Sequence, residues 1–276
     1  MLAGCSGAGE QDTVVVTSTS FVAETPASAP LAPKGPNPEP TVTARDAQAL
    51  LDATVADVTA AFGGELGVAT MGERGPVTAG FADPTPAWST MKVPIAVAAT
   101  RTQPGLESDV RAAITVSDNE AAGRLFDAVG PDAVDSVLSE AGVPAQVSMA
   151  DLRPEFSTFG QTLLSAADEA VLADSLPCAD GSGPVLGYMG QVDASQRYGL
   201  GAVGALFKGG WGPDTAGNYH VRQLGLIPRG DGVWSPVALT AIPADGTYET
   251  GQAMLTAAAT RLAEASPALP AARCQP

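Results

Sequence analysis

Strand-forming sequence lies at the two ends of the folded part of this chain and is missing from its middle, which limits the possible folds more than any other feature. Two short runs, Leu66–Met71 and Pro76–Phe81, flank Gly72-Glu73-Arg74-Gly75, whose turn chemistry predicts a hairpin. Three more candidates, Ala202–Lys208, Asn218–Ile227 and Val233–Ile242, follow residue 200. Between the groups, Ser108–Thr115, Glu120–Val129, Pro131–Ala141 and Ser165–Ser175 are Ala-rich with apolar residues at helical spacing. Helices are also predicted at both ends: over Thr43–Phe62, from Ala47, Leu50, Leu51, Val55, Val58 and Phe62, and over Tyr248–Ala265, from Met254, Leu255 and Leu262. Strands so far apart share one sheet only if the middle folds aside. The order therefore predicts an α+β fold, an α/β sandwich with a five-stranded antiparallel sheet, terminal helices packed on it and an all-helical subdomain beside it. The expected division is a tether over 1–42 and one domain over 43–276, its sheet part formed by 43–88 and 200–276 and its helical part by 89–199.

Three short motifs sit within this frame. Trp88-Ser89-Thr90-Met91-Lys92 runs directly into apolar sequence, so a hydroxyl and an amine one helical turn apart are carried by an element that the core will bury. A serine hydroxyl is a poor nucleophile until a base takes its proton, and a partly desolvated lysine can be that base. Ser117-Asp118-Asn119 falls between two helical stretches, where its side chains can face a cleft. Lys208-Gly209-Gly210-Trp211 places an amine at the end of a strand, followed by glycines that let a ligand approach the backbone.

Ser-x-x-Lys, then Ser-Asp-Asn, then a strand lysine with glycine two residues on, in that order, resembles the serine β-lactamases and penicillin-binding proteins. The resemblance covers most of 43–265 and is nearest to the class A β-lactamases. It implies the β-lactamase/transpeptidase-like fold, with Ser89 as the acylated nucleophile and Lys92 as its proton partner. Ser117 would pass a proton to the leaving nitrogen, Asn119 would hold substrate and Lys92, and Lys208 would attract a substrate carboxylate. The oxyanion hole would join the backbone N–H groups of Ser89 and Gly210.

Departures from the family bear on activity. The interval from Ser89 to Ser117 is much shorter than usual, which predicts a reduced helical subdomain. The deacylating Glu-x-x-Leu-Asn loop has no counterpart in 148–162, where Glu155 and Asp151 are the candidate carboxylates. Gly209 replaces the usual Ser or Thr, removing a hydroxyl from the substrate carboxylate site. Trp211 could narrow the cleft or cover the strand end, and Arg222 could bind a carboxylate or pair at the surface.

The N-terminus points to an envelope location. Leu2-Ala3-Gly4-Cys5 resembles a bacterial lipobox, with Cys5 as the lipid anchor, and residues 6–42 are too rich in Gly, Ser, Thr, Ala and Pro to bury a core. With Cys5 lipidated, Cys178 and Cys274 form an even pair suited to a disulfide in an exported protein. Composition points to a high-GC, actinobacterial kind of source. A formal net charge of −16 argues against a nucleic-acid partner, and the single histidine, His220, rules out a His-rich metal site. No metal or cofactor is called for. The resulting expectation is a membrane-anchored envelope protein, either a serine acyl-transfer hydrolase acting on a peptidoglycan-derived amide or ester with little β-lactamase activity, or a non-catalytic lipoprotein that binds an envelope ligand.

Overall fold

The computed structural model describes residues 44–229 and 232–276. The lipobox, with Cys5, and the tether lie outside the described residues.

Five strands form one antiparallel sheet in the order β2-β1-β7-β6-β5: β1 (Glu65–Gly72), β2 (Gly75–Gly80), β5 (Leu206–Pro213), β6 (Tyr219–Pro228) and β7 (Trp234–Ile242). The strand groups from the two ends meet at the β1–β7 pair, with Val68 opposite Leu239. On one face lie the terminal helices α1 (Ala44–Phe62) and α8 (Tyr248–Glu264), burying Leu51, Val58, Leu255 and Leu262 with Val68, Val221 and Leu239. The other face carries the helical region and α6 (Ala166–Ser175), with Leu224, Leu226 and Ala238 in its core. The predicted α+β architecture and five-stranded sheet are thus present.

Inside the helical region, α2 (Lys92–Thr102) is buried at every position from Lys92 to Ala99. A helix without a polar face belongs at the centre of a bundle, and here α3 (Glu107–Thr115), α4 (Asn119–Val129), α5 (Pro131–Ala141) and α7 (Ser182–Met189) surround it. Local chemistry sets the helix ends. Asp118 caps α4 by accepting from Ala121 N, a reciprocal Ser165/Asp168 box starts α6, and Gly142 ends α5 in the left-handed conformation. Cys178 and Cys274 form the expected disulfide, and Arg273 beside it pairs with Asp174 of α6, so the C-terminal tail is held to the helical region.

Two local expectations need correction, and one element was not expected. The motif helix does not begin at Ser89: Trp88–Met91 is a 3₁₀ turn, and α2 starts at Lys92. The strand predicted over Ala202–Lys208 is a 3₁₀ turn over Gly199–Val203 followed by β5 from Leu206, so Lys208 lies early in the strand and both following glycines continue it. A two-stranded ribbon, β3 (Thr85–Pro86) with β4 (Leu163–Leu164), had no sequence signal because two residues carry no periodicity.

Candidate active site

Ser89 sits in a turn that two separate packing constraints hold. Trp88 before it has φ +52°, a conformation that few side chains other than glycine adopt at low cost, and its buried ring packs edge-on against Phe156 at 5.1 Å. On the sheet side, β5 approaches so closely that a Cβ added at Gly210 would lie 2.6 Å from Ala87 O, 2.9 Å from Ser89 N and 3.0 Å from Thr90 N. A Cβ at Gly212 would meet the Trp88 ring at 2.6 Å. These glycines are therefore required by the approach of the strand to the serine turn, whatever ligand the cleft accepts.

Ser117 also has positive φ, +58°, which aims its side chain between two lysines. Lys92 Nζ donates to Ser117 O at 2.5 Å, to Ser117 Oγ at 3.2 Å and to Asn119 Oδ1 at 2.7 Å. Lys208 Nζ donates to Ser117 Oγ at 2.9 Å and to Gly209 O at 2.8 Å. Among the described residues, the hydrogen bonds of Lys92 Nζ go to this triplet and none goes to Ser89 Oγ. The structure thus brings together Lys92, Ser117, Asn119 and Lys208, with Ser89 one turn before Lys92.

The lysines are fully buried, a costly position for a charge in an apolar interior. Burial lowers the Lys92 pKa to about 8, against a smaller opposing pull from Asp118. Burial, reinforced by the charge of Lys92, pushes Lys208 well below the usual lysine range. A lysine whose pKa is lowered to about 8, and a hydroxyl bridging it to a second lysine, form a route for proton exchange.

The remaining predicted residues lie elsewhere. Alternation along β5 places Lys208, Gly210 and Gly212 on the serine side and Gly209 and Trp211 on the opposite face, where Trp211 packs against Tyr248 of α8 with ring centroids 5.3 Å apart. Trp211 therefore does not narrow the cleft over Ser89. A Cβ at Gly209 would lie 3.5 Å from Tyr198 Oη, so the hydroxyl of a half-buried tyrosine stands close to where the usual Ser or Thr side chain is missing. Burial raises the Tyr198 pKa well above the ordinary tyrosine value, keeping that hydroxyl neutral. Sequence reasoning passed over Tyr198 because only the β5 register places it beside Gly209.

Arg222 is neither a surface residue nor available to a substrate carboxylate. It is fully buried and donates from Nε to Glu169 Oε1 at 2.9 Å. Glu155 is exposed and pairs with Arg153 at 3.0 Å; its own backbone N–H and Arg153 hold its carboxyl below the ordinary range. Asp151 is exposed, with φ +56°. His220 lies half-buried in β6, its pKa lowered chiefly by burial.

No protein-family model matches the chain, and no curated protein does. Solved structures do. A β-lactamase from Sphaerobacter thermophilus is 20% identical with a TM-score of 0.61, covering 80% of this chain and 98% of its own. The class A β-lactamase of Mycobacterium abscessus is 16% identical with a TM-score of 0.63 over 78% of this chain and 99% of its own. A β-lactamase from Chitinophaga pinensis is likewise 16% identical, with a TM-score of 0.63 over 78% and 98%. At such identities the likeness is one of fold, and this chain has the β-lactamase/transpeptidase-like fold.

Proposed function

We propose that the domain is a serine acyl-transfer hydrolase of the cell envelope, acting through Ser89 and Lys92 on an amide or ester such as a peptidoglycan stem peptide, with weak or no β-lactam turnover. The observation that carries this reading is the convergence of two buried lysines on one serine hydroxyl, one of them, Lys92, three residues after Ser89. A scaffold gains nothing from burying two amines together, and the arrangement suits proton transfer during attack and leaving-group departure. Lys92 as the free base takes the Ser89 proton as Oγ bonds to the substrate carbonyl carbon. The proton reaches the leaving nitrogen or oxygen through Ser117, and Lys208, which donates to the same hydroxyl, is the amine assigned to a substrate carboxylate.

The strand register revises the oxyanion hole. Gly209 O accepts from Lys208 Nζ beside Ser117, on the open side of the edge strand. In an antiparallel strand the N–H and C=O of one residue point to the same side, as do those two residues on. Trp211 N–H, rather than Gly210 N–H, then joins Ser89 N–H in facing the developing oxyanion.

Release of the acyl group is the weaker half of the reaction. The segment 148–162 offers Glu155 and Asp151, both exposed, and the described hydrogen bonds link neither to Ser89. This favours a long-lived acyl-enzyme. It is also the observation behind a second reading, in which the lipoprotein binds an envelope ligand without turning it over.

Intact mass after incubation with a fluorescent penicillin and with an activated phosphonate tests the reaction. An adduct that disappears in Ser89→Ala is expected; the absence of any adduct on the wild-type protein would leave only the binding reading.

We further assign the protein to the outer face of the cytoplasmic membrane, anchored through Cys5. The lipobox sequence, the Pro-rich tether and a disulfide suited to an oxidising compartment support this. Labelled palmitate should enter the full-length precursor and not its Cys5→Ala variant.

A further inference from the structure

The largest fully buried side chain in the domain, Arg222, belongs to neither the lysine–serine cluster nor the apolar core. It lies opposite Gly210 in the β5–β6 register, behind the serine turn. Its Nη1 donates to Thr85 O at 2.9 Å, Thr85 Oγ1 at 3.0 Å and Pro86 O at 3.1 Å, and its Nη2 donates to Leu164 O at 2.9 Å. One guanidinium therefore fixes the chain leading into the serine turn. Glu169, buried at 0% exposure on α6, accepts from Arg222 Nε through the same oxygen that the Thr90 hydroxyl reaches at 2.5 Å. Thr90 follows Ser89 directly, and its hydroxyl, with one proton to give, is shared between Glu169 Oε1 and Ala87 O at 2.6 Å. The second carboxylate oxygen, Oε2, is buried with no partner among the described residues, so burying this group is not explained by full satisfaction of its hydrogen bonds.

We infer that Glu169 and Arg222 are positioning residues for the nucleophile, a buried ion pair that grips the chain on both sides of Ser89. Arg222 holds Thr85 and Pro86 before the serine, and Glu169 holds Thr90 after it. The turn so held contains Trp88 in its positive-φ conformation, which persists only where the surroundings over-determine it. A planar guanidinium with five fixed donors suits this task, because it binds several carbonyls and one carboxylate at once. The inference deepens the acyl-transfer reading and rests on it for the word nucleophile; the clamp on the turn is independent of that reading.

The gentlest perturbation is Thr90→Val, which keeps shape and buried volume and removes the hydroxyl that links the turn to Glu169. Amide hydrogen exchange over 85–92, melting temperature, and the second-order rate of Ser89 modification by the phosphonate probe are compared for the wild type, Thr90→Val and Thr90→Ser. Expected are exchange faster by about tenfold or more in this segment of Thr90→Val, with regions remote from it unchanged. Modification should slow by about tenfold with a melting temperature within a few degrees of wild type, and Thr90→Ser should restore both readouts. Wild-type exchange over 85–92 in Thr90→Val would overturn the clamp, as would an effect that Thr90→Ser fails to rescue. If the wild-type protein takes no adduct, the acyl-transfer reading falls while the exchange comparison still decides whether the Thr90 hydroxyl, set between Glu169 and Ala87, holds the turn. If modification is normal in Thr90→Val despite loosened exchange, the positioning role fails and the acyl-transfer reading stands.

Discussion

The serine side of the cleft and the segment 148–162 opposite it are built on different physical terms. On the serine side the buried amines and the serine turn are held by specific partners: Lys92 by Ser117 and Asn119, Lys208 by Ser117, and the turn by Thr90 and the Glu169–Arg222 pair. The facing segment is tied down just as firmly, with Arg153 donating to Pro213 O at 2.7 Å and stacking on Phe156, which in turn touches Trp88. Its carboxylates, however, stay in solvent. One region spends buried charge on reactivity and the other spends polar side chains on docking a loop. On the acyl-transfer reading, a site assembled this way is equipped for attack and poorly equipped for release.

The sharpest way to break that contrast is Ser89→Ala, which should abolish the covalent adduct with both the penicillin and the phosphonate, read by intact mass. Adduct on the variant would move the reactive group elsewhere. Next in size is Ser117→Ala, which removes the hydroxyl joining the two lysines. Acylation should slow by about 10²–10⁴-fold, the range for a lost proton-transfer group, measured by stopped-flow or quenched labelling. The pH profile follows. Because burial lowers the Lys92 pKa to about 8, the free base is scarce below that pH and dominant above it. Acylation should then rise by about tenfold per unit up to about pH 8 and level off; a flat profile from pH 6 to 9 would remove Lys92 as the base.

The smallest effect is expected on the release side. Glu155→Gln should change acylation and adduct lifetime by less than about twofold, since an exposed pair such as Arg153–Glu155 contributes little. A markedly longer-lived adduct in that variant would give Glu155 a part in deacylation and erase the contrast between the two regions.

Much of this site was legible in the sequence, and the reasons are local. Ser89 and Lys92 are three residues apart, so any helical turn brings them together, and the apolar run after Lys92 dictates burial of the element that carries them. Asp118 caps α4, which fixes where Ser117 and Asn119 emerge. Other parts depended on long-range placement. Arg222 stayed open between binding a carboxylate and pairing at the surface because strand alternation alone cannot say that a carboxylate waits on the other side of the sheet face. Glu169 drew no reading, because acidic residues are common in the first turn of a helix, although it falls on the same face as Ala166, Ala170 and Ala173. That interruption of an apolar stripe was the available signal. Trp211 was left to narrow the cleft or cover the strand end because the strand was ended at Lys208, whereas β5 runs to Pro213.

By itself, the sequence determined the α+β architecture, the order of its elements, and the residue types able to attack a carbonyl. Periodicity, caps and short-range spacing are properties of adjacent residues, and the chain carries them wherever it folds. Only the tertiary structure decided which charges are buried together, that Trp211 faces α8, and that Arg222 and Glu169, 53 residues apart, grip the turn around Ser89. Those outcomes follow from the sheet register and the closeness of β5 to the serine turn, which the packing of whole elements sets.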